Sequence, residues 1–415
     1  METKNQTVAV VGAGIVGLSC ALWLQKTGFD VILIDPEEPG SGTSSGNACT
    51  IADYACVPVN DPGIFKRLPS LMFSADSPLS LDPRYALSHM PWMLAFLKNC
   101  KADKVARITR VLASLLGKTY EGLDPLLEMA DARDLLKQMG CMYLYRSQRE
   151  FDAAWPGNLK RRKYGVEFSE LDVADIRELE PNLKPGFERG LLFPGANQVL
   201  NPLTLCQRYF ACLQKNGARY LRQSAVEVHH DLSSVQLLLD NGELLDADRI
   251  VIAAGAFSTR IGGIRANRLP LDTERGYHVQ YAGMQHLLNR PVSWNSAGFY
   301  ATPMDQGLRI AGTVEIAGYG KDSNPRNLEH LIRKSQQMLD LPQRPEQTWL
   351  GFRPTFPDAL PVIGYSTVSE YVMLAFGHQH IGLTLAGVTG KLIGELANQQ
   401  QPSHNITPFS PRRFL

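Results

Sequence analysis

Apolar and polar positions along this chain fall into short runs with the period of strands and longer stretches with the period of helices. Residues 8–11, Val-Ala-Val-Val, read as a buried strand. Residues 18–28 carry helical spacing, and 30–34 read as a second strand that ends on Asp35. Val105, Ile108, Leu112, Leu115 and Leu116 recur at helical spacing, and a similar stripe over 123–139 makes 64–140 read as mostly helical core. Within it, 90–97 (Met-Pro-Trp-Met-Leu-Ala-Phe-Leu) reads as buried packing, the alternative being an apolar face that touches a membrane. Strand-like pieces at 141–145 and 190–193 are separated by a basic cluster at 160–163, which reads as a solvated loop.

Residues 202–217 read as a helix. The stretches 225–229 and 235–239 alternate as strands, with a hairpin turn at Asn241-Gly242. Residues 249–256 are a second apolar strand running into glycine, so the chain returns there to its first sheet. Strands dominate 278–316 around a turn at 305–307, a helix follows over 327–339, and 371–376 is a strand leading to a closing helix that ends near Ala397. This order predicts two interleaved domains: a nucleotide domain from 1–62, 200–268 and 345–415, and a substrate domain from 63–199 and 269–344.

The opening stretch carries the first chemistry. Gly12-Ala13-Gly14-Ile15-Val16-Gly17 stands between a strand and a helix, and Asp35 closes the following strand. This is a dinucleotide-binding pattern: Gly12 for the turn, Gly14 for close approach of a pyrophosphate, Gly17 for helix–strand packing, and a carboxylate for a ribose hydroxyl. The fingerprint alone leaves FAD and NAD open. The small, polar loop 40–48, which holds Thr43, Ser44, Gly46, Asn47 and Ala48, leaves the same sheet end and reads either as a flexible surface loop or as backbone closing over the cofactor.

Composition narrows the partners. The chain has 415 residues, 20% of them charged, and a net charge of +1, which gives no reason to expect nucleic acid. Seven cysteines lie without a Cys-x-x-Cys pair, which argues against a disulfide framework or a zinc site, and no metal is expected. Residues 1–6 are polar and lead straight into the first strand, so no signal peptide is expected and the cytoplasm is the expected compartment.

Taken together, 10–17 with Asp35, 42–48, 251–255, 351–354 with Asp358 and 361–364, and 377–384 resemble the FAD-dependent D-amino-acid oxidase superfamily along essentially the whole chain. Within it they are most similar to the branch of bacterial D-amino-acid dehydrogenases (small subunit) and glycine oxidases. The resemblance implies an α/β fold with an α+β second domain, that is, a Rossmann-like FAD-binding domain of glutathione-reductase type interleaved with a mixed-sheet substrate domain. It turns the cofactor towards FAD, held without a covalent bond. It also implies the site: Gly12, Ala13, Gly14, Ile15 and Val16 at the pyrophosphate, Asp35 at the adenosine ribose, Val226 at the adenine and Gly255 near the phosphates. Gly377, His378, His380, Ile381, Gly382, Leu383 and Thr384 would run along the flavin ring.

Arg353 matches the family arginine that grips a substrate carboxylate, and its planar fork suits two oxygens. Tyr300 matches an active-site tyrosine of the glycine oxidases, with a core tyrosine as the alternative. His380 departs from the family residues at its place and would contact substrate or flavin. His278 would line the pocket or serve as a satisfied structural histidine.

The implied activity is dehydrogenation of D-amino acids by hydride transfer from Cα to the flavin, with a quinone or electron-transfer protein as acceptor. Alternatives are D-hydroxyproline or D-proline dehydrogenation, glycine or sarcosine oxidation, and a flavin-carrying subunit without its own substrate. A peripheral position at the inner membrane face is a further expectation.

Overall fold

A computed structural model describes residues 6–60, 62–63, 77–231 and 234–415. Part of the helical expectation over 64–140, residues 64–76, therefore lies outside the described residues, as does most of the polar stretch 1–6.

Two sheets organise the chain. The first has six strands in the order Arg219–Leu221, Asp30–Ile34, Thr7–Val11, Arg249–Ile252, Val372–Phe376 and Val362–Tyr365. All neighbours are parallel except the last pair. Parallel strands buried on both faces read as continuous apolar runs, which is why residues 8–11 and 249–252 stood out as strands. The helices Ile15–Lys26 and Gly382–Ala397 pack together over one face of this sheet, with Leu18, Leu22, Leu33, Leu385 and Leu392 in their common core. The antiparallel sheet Ala225–His230, Val235–Leu239 and Leu244–Ala247 packs its apolar face on the other side, with Ile32, Ile250 and Leu374.

The second sheet is mixed and has nine strands. Its path runs Gln347–Thr355, Asp272–Tyr281, Gly307–Ile316, Phe299–Met304, Val292–Trp294, Cys141–Tyr145, Arg189–Phe193 and Ser169–Leu171, with Leu79–Leu81 also paired to Gly307–Ile316. The helix Pro325–Met338 covers one of its faces through Leu331 and Met338. A further small sheet of Thr50–Ile51, Asn197–Val199 and Leu136–Gln138 joins residues far apart in the chain.

Four expectations need correction. The basic cluster at 160–163 is the last turn of the helix Gln148–Lys163, where four cations complement the helix dipole. The stripe over 123–139 does not continue as helix: the helix Thr119–Met129 stops, Asp131 takes a positive φ of 48°, and Leu136–Gln138 is a strand. In the helix Met90–Asn99 only Trp92 is buried, while Met90 and Leu94 are exposed, so this segment packs by one edge. The strand Gln347–Thr355, counted with the nucleotide domain, pairs along its whole length with Asp272–Tyr281 in the mixed sheet.

Candidate active site

A cavity of about 880 Å³ runs from the carboxyl ends of the parallel strands to the inner face of the mixed sheet. At its first end, Gly12 sits at φ +107°, and a Cβ there would lie 2.4 Å from the Ala253 carbonyl oxygen. A Cβ on Gly17 would lie 1.9 Å from the Gly12 carbonyl oxygen, so the turn and the helix can approach this closely only through glycine. The helix Ile15–Lys26 starts with its free amides toward the cavity, and the Ile15 N–H donates to Ser44 Oγ at 2.9 Å. Asp35 Oδ2 accepts the Ala13 N–H at 2.6 Å and Oδ1 accepts the Glu37 N–H at 2.9 Å. Burial nevertheless raises the Asp35 carboxyl above its usual range.

The loop after Asp35 crosses to the other sheet and is tied there. Thr43 Oγ1 donates to the Phe352 carbonyl at 3.0 Å, and Asn47 Nδ2 donates to Ser44 O at 2.8 Å. Arg309 Nη1 donates to the carbonyls of Ser45 and Asn47 at 2.7 and 3.1 Å, and Thr302 Oγ1 donates to Ala48 O at 3.0 Å. His278 Nδ1 lies 3.1 Å from the Gly46 carbonyl oxygen, and the ring stacks on Trp349 with centroids 5.0 Å apart. Burial first, then Arg309, lowers its pKa to about 3, so the ring is neutral. His278 is thus a buried support for this loop rather than part of the cavity wall.

Arg353 anchors the opposite end. It projects from Gln347–Thr355 across the neighbouring strand at Gly276 and reaches the third strand, where Nη1 donates to Thr313 O at 2.8 Å. Nη2 donates to Gly312 O at 3.4 Å. A Cβ on Gly276 would stand 2.3 Å from the guanidinium, so only glycine leaves the arginine this path. Thr313 carries a left-handed φ of +53°, a strained value for a β-branched residue. Two carbonyls fix the fork, and among the described residues its remaining N–H donors have no partner and suit an anion.

Around the arginine stand Tyr300 and the loop 377–380. The Tyr300 and Tyr143 hydroxyls lie 2.6 Å apart, within an aromatic group that includes Tyr54 and Phe193. Burial pushes the Tyr300 hydroxyl up to about 12. The Gln379 N–H donates to Pro354 O at 2.9 Å and couples the loop to the arginine strand. His380 faces the cavity with its ring exposed there, and partial desolvation, then Arg353, lowers its pKa to about 4. His378 is buried, 2.9 Å from Thr389 Oγ1, and burial lowers its pKa to about 3.

The cavity brings together most of the expected residues: Gly12, Ala13, Gly14, Ile15, Val16, Asp35, Thr43, Ser44, Gly46, Asn47, Ala48, Gly255, Gly377, His378, His380, Gly382, Leu383, Tyr300 and Arg353. Five others do not line it. Gly17 and Ile381 are packed behind the wall, and Thr384 spends its hydroxyl on the Ala52 N–H at 2.9 Å. Val226 lies at a bulge, 43% exposed, with its carbonyl taken by the Gly262 N–H, and the wall nearby is Gln223, Ser224 and Ala225. His278 is the fifth. The sequence reading missed Glu274, Arg161 and Asn295 on the wall, and Arg309 behind the loop. Alternation along Asp272–Tyr281 put Glu274 and Gly276 on one face with His278, and that was the available signal.

The DAO family, described as FAD dependent oxidoreductase, matches residues 7–396. The chain belongs to this family. A D-amino-acid oxidase of Bradyrhizobium diazoefficiens is 33% identical over 425 aligned positions, spanning 99% of this chain and all of that protein. A D-amino acid dehydrogenase of Xylella fastidiosa is 27% identical, covering 94% of this chain and 91% of that one. Among solved structures, glycine oxidase from Geobacillus kaustophilus superposes with a TM-score of 0.75 at 22% identity, 98% of each chain being covered. As a DAO family member the protein is an FAD-dependent oxidoreductase. The cavity fits that cofactor: a glycine turn at a helix start, the Asp35 carboxylate at the end of the next strand, and a buried Gln379 Nε2 on the wall without a partner among the described residues. Among the described residues no helix is long and apolar enough to cross a membrane.

Proposed function

We propose that this protein dehydrogenates D-amino acids at the Cα–N bond, with FAD bound non-covalently in the cavity and a quinone or electron-transfer protein as final acceptor. The observation that carries the reading is Arg353: a guanidinium fixed by two carbonyls, with donors to spare, at the far end of a cavity whose near end has a dinucleotide fingerprint. Relatives named for D-amino acids at 33% and 27% identity support the substrate class.

When bound, FAD supplies the two-electron acceptor for the substrate's Cα–H. The protein's own part is placement. Arg353 pairs with the substrate carboxylate through charge-assisted bonds, which holds Cα in one orientation. Tyr300 and Tyr143 offer a hydroxyl pair on the same wall, and their aromatic neighbours keep that wall apolar. Desolvation and the neighbouring Arg353 both lower the His380 pKa, which disfavours a second cation beside Arg353. The oxidised product is an imino acid, which water hydrolyses to a 2-oxo acid and ammonia.

Anaerobic visible spectra of the holoprotein test this. D-alanine or D-proline should bleach the flavin absorbance, and L-alanine should not. A flavin that neither D-amino acid bleaches would contradict the proposal. Stoichiometric hydrogen peroxide in air would replace the dehydrogenase with an oxidase.

A further inference from the structure

Glu274 is a carboxylate the reaction as described does not use. It lines the cavity and is only 7% exposed, yet no hydrogen bond or ion pair engages it among the described residues. The other carboxylates on the described wall are Asp35, Glu37 and Glu38, all at the ribose end. Glu274 is instead the direct cross-strand partner of Arg353. Such partners have Cβ atoms about 4.5–5.5 Å apart, so both charged ends serve one small volume. No salt bridge joins them, because the Arg353 fork lies over Gly276 and is drawn to the carbonyls of Gly312 and Thr313.

A buried carboxylate without a partner is destabilising unless a cation reaches it. Burial does raise the Glu274 carboxyl, and Asp272 raises it further, while Arg353 draws it back down. An amino acid brings a carboxylate and an ammonium on adjacent atoms. Paired with Arg353 and Glu274 respectively, it would neutralise both wall charges at once.

Resting on the D-amino-acid reading, we infer that Glu274 is the amine-recognition residue of this site, its carboxylate receiving the substrate's N–H groups while Arg353 holds the carboxylate. The pair then reads a zwitterion rather than any carboxylic acid. This selects amino acids over carboxylates and 2-hydroxy acids that share the same skeleton.

The test compares the wild-type holoprotein with E274Q on two probes: D-alanine, and propanoate, which lacks only the amine. E274Q should keep its FAD and bind propanoate within about 3-fold of wild type, by perturbation of the flavin spectrum. Its KM for D-alanine should rise at least 10-fold. Equal loss for both probes would overturn the assignment, because Glu274 would then act only by positioning Arg353. No loss for either would overturn it as well. Should E274Q not retain FAD, E274D keeps the charge but shortens its reach, and the same split between the probes is expected. A wild-type flavin that neither D-alanine nor D-proline bleaches defeats the proposed function itself. Bleaching that E274Q and E274D leave unaltered defeats this inference alone.

Discussion

At the nucleotide end the cavity is walled by backbone. The Gly12 turn, the helix-start amides and Asp35 come from residues 12–35, and Ser44, residues 223–225 and residues 253–255 complete this end. At the other end the wall is side chains. Arg353, Glu274, Tyr300 and His380 come from four separate segments and meet only because strands distant in sequence lie side by side. The first end therefore tolerates little change in main-chain shape, and the second little change in side-chain reach. The two should also fail differently: damage at one loses the cofactor, and damage at the other spares the cofactor and loses the substrate.

The sharpest break of this contrast is Gly12→Ala. A Cβ 2.4 Å from the Ala253 carbonyl oxygen, at a φ of +107°, forces the turn open. Backbone strain of this kind alone is on the order of 1–3 kcal/mol. The variant should purify with little or no FAD, measured as the ratio of visible to protein absorbance. Retention of a full complement would mean the turn does not hold the cofactor.

Gly276→Ala is the matching test at the substrate end. Its Cβ would stand 2.3 Å from the Arg353 guanidinium, so the arginine must leave its carbonyl anchors. FAD content should be unchanged while KM for a D-amino acid rises about 10-fold, equivalent to roughly 1.4 kcal/mol. An unchanged KM would show that the path across Gly276 is not what aims Arg353.

A smaller effect belongs to the histidines at the junction. His278 and His378 have folded pKa values of about 3, below the ordinary 6.5, so the unfolded chain takes up their protons first as pH falls. Their contribution to stability is full above pH 6.5 and is lost between there and about pH 3, at up to about 1.4 kcal/mol per pH unit for each. The Tm of the holoprotein should therefore fall steadily from pH 7 to pH 4.5. A Tm that is flat over this range would mean these rings are not held neutral.

How much of this was legible follows the same division. Dinucleotide turns, buried parallel strands and the closing helix are local patterns: the strands at 8–11 and 30–34 and the closing helix came out where expected, while the helix expected over 18–28 runs Ile15–Lys26 and the strand expected over 249–256 ends at Ile252. Arg353 was found through its neighbours in a resembling motif, not through anything local that marks an arginine as buried. Glu274 and Arg309 escaped because Arg353, across the strand pair from Glu274, lies 79 positions away and the Ser45 carbonyl held by Arg309 lies 264 positions away, in registers that only sheet pairing sets. The helix ending at Lys163 was misread as loop because a run of cations looks solvated whether or not a helix carries it. The resemblance puts Val226 at a backbone contact, and at this bulge Gln223, Ser224 and Ala225 line the cavity in its place.

The division into a cofactor-holding end and a substrate-holding end is most directly tested by Arg353→Ala. Two charge-assisted bonds to a carboxylate are together worth on the order of 3 kcal/mol, or about 100-fold in affinity. The variant should purify with the same FAD content and the same oxidised spectrum as wild type, and anaerobic bleaching should require about 100-fold more D-alanine. Bleaching at wild-type concentrations, or loss of FAD on removing this one side chain, would contradict the account.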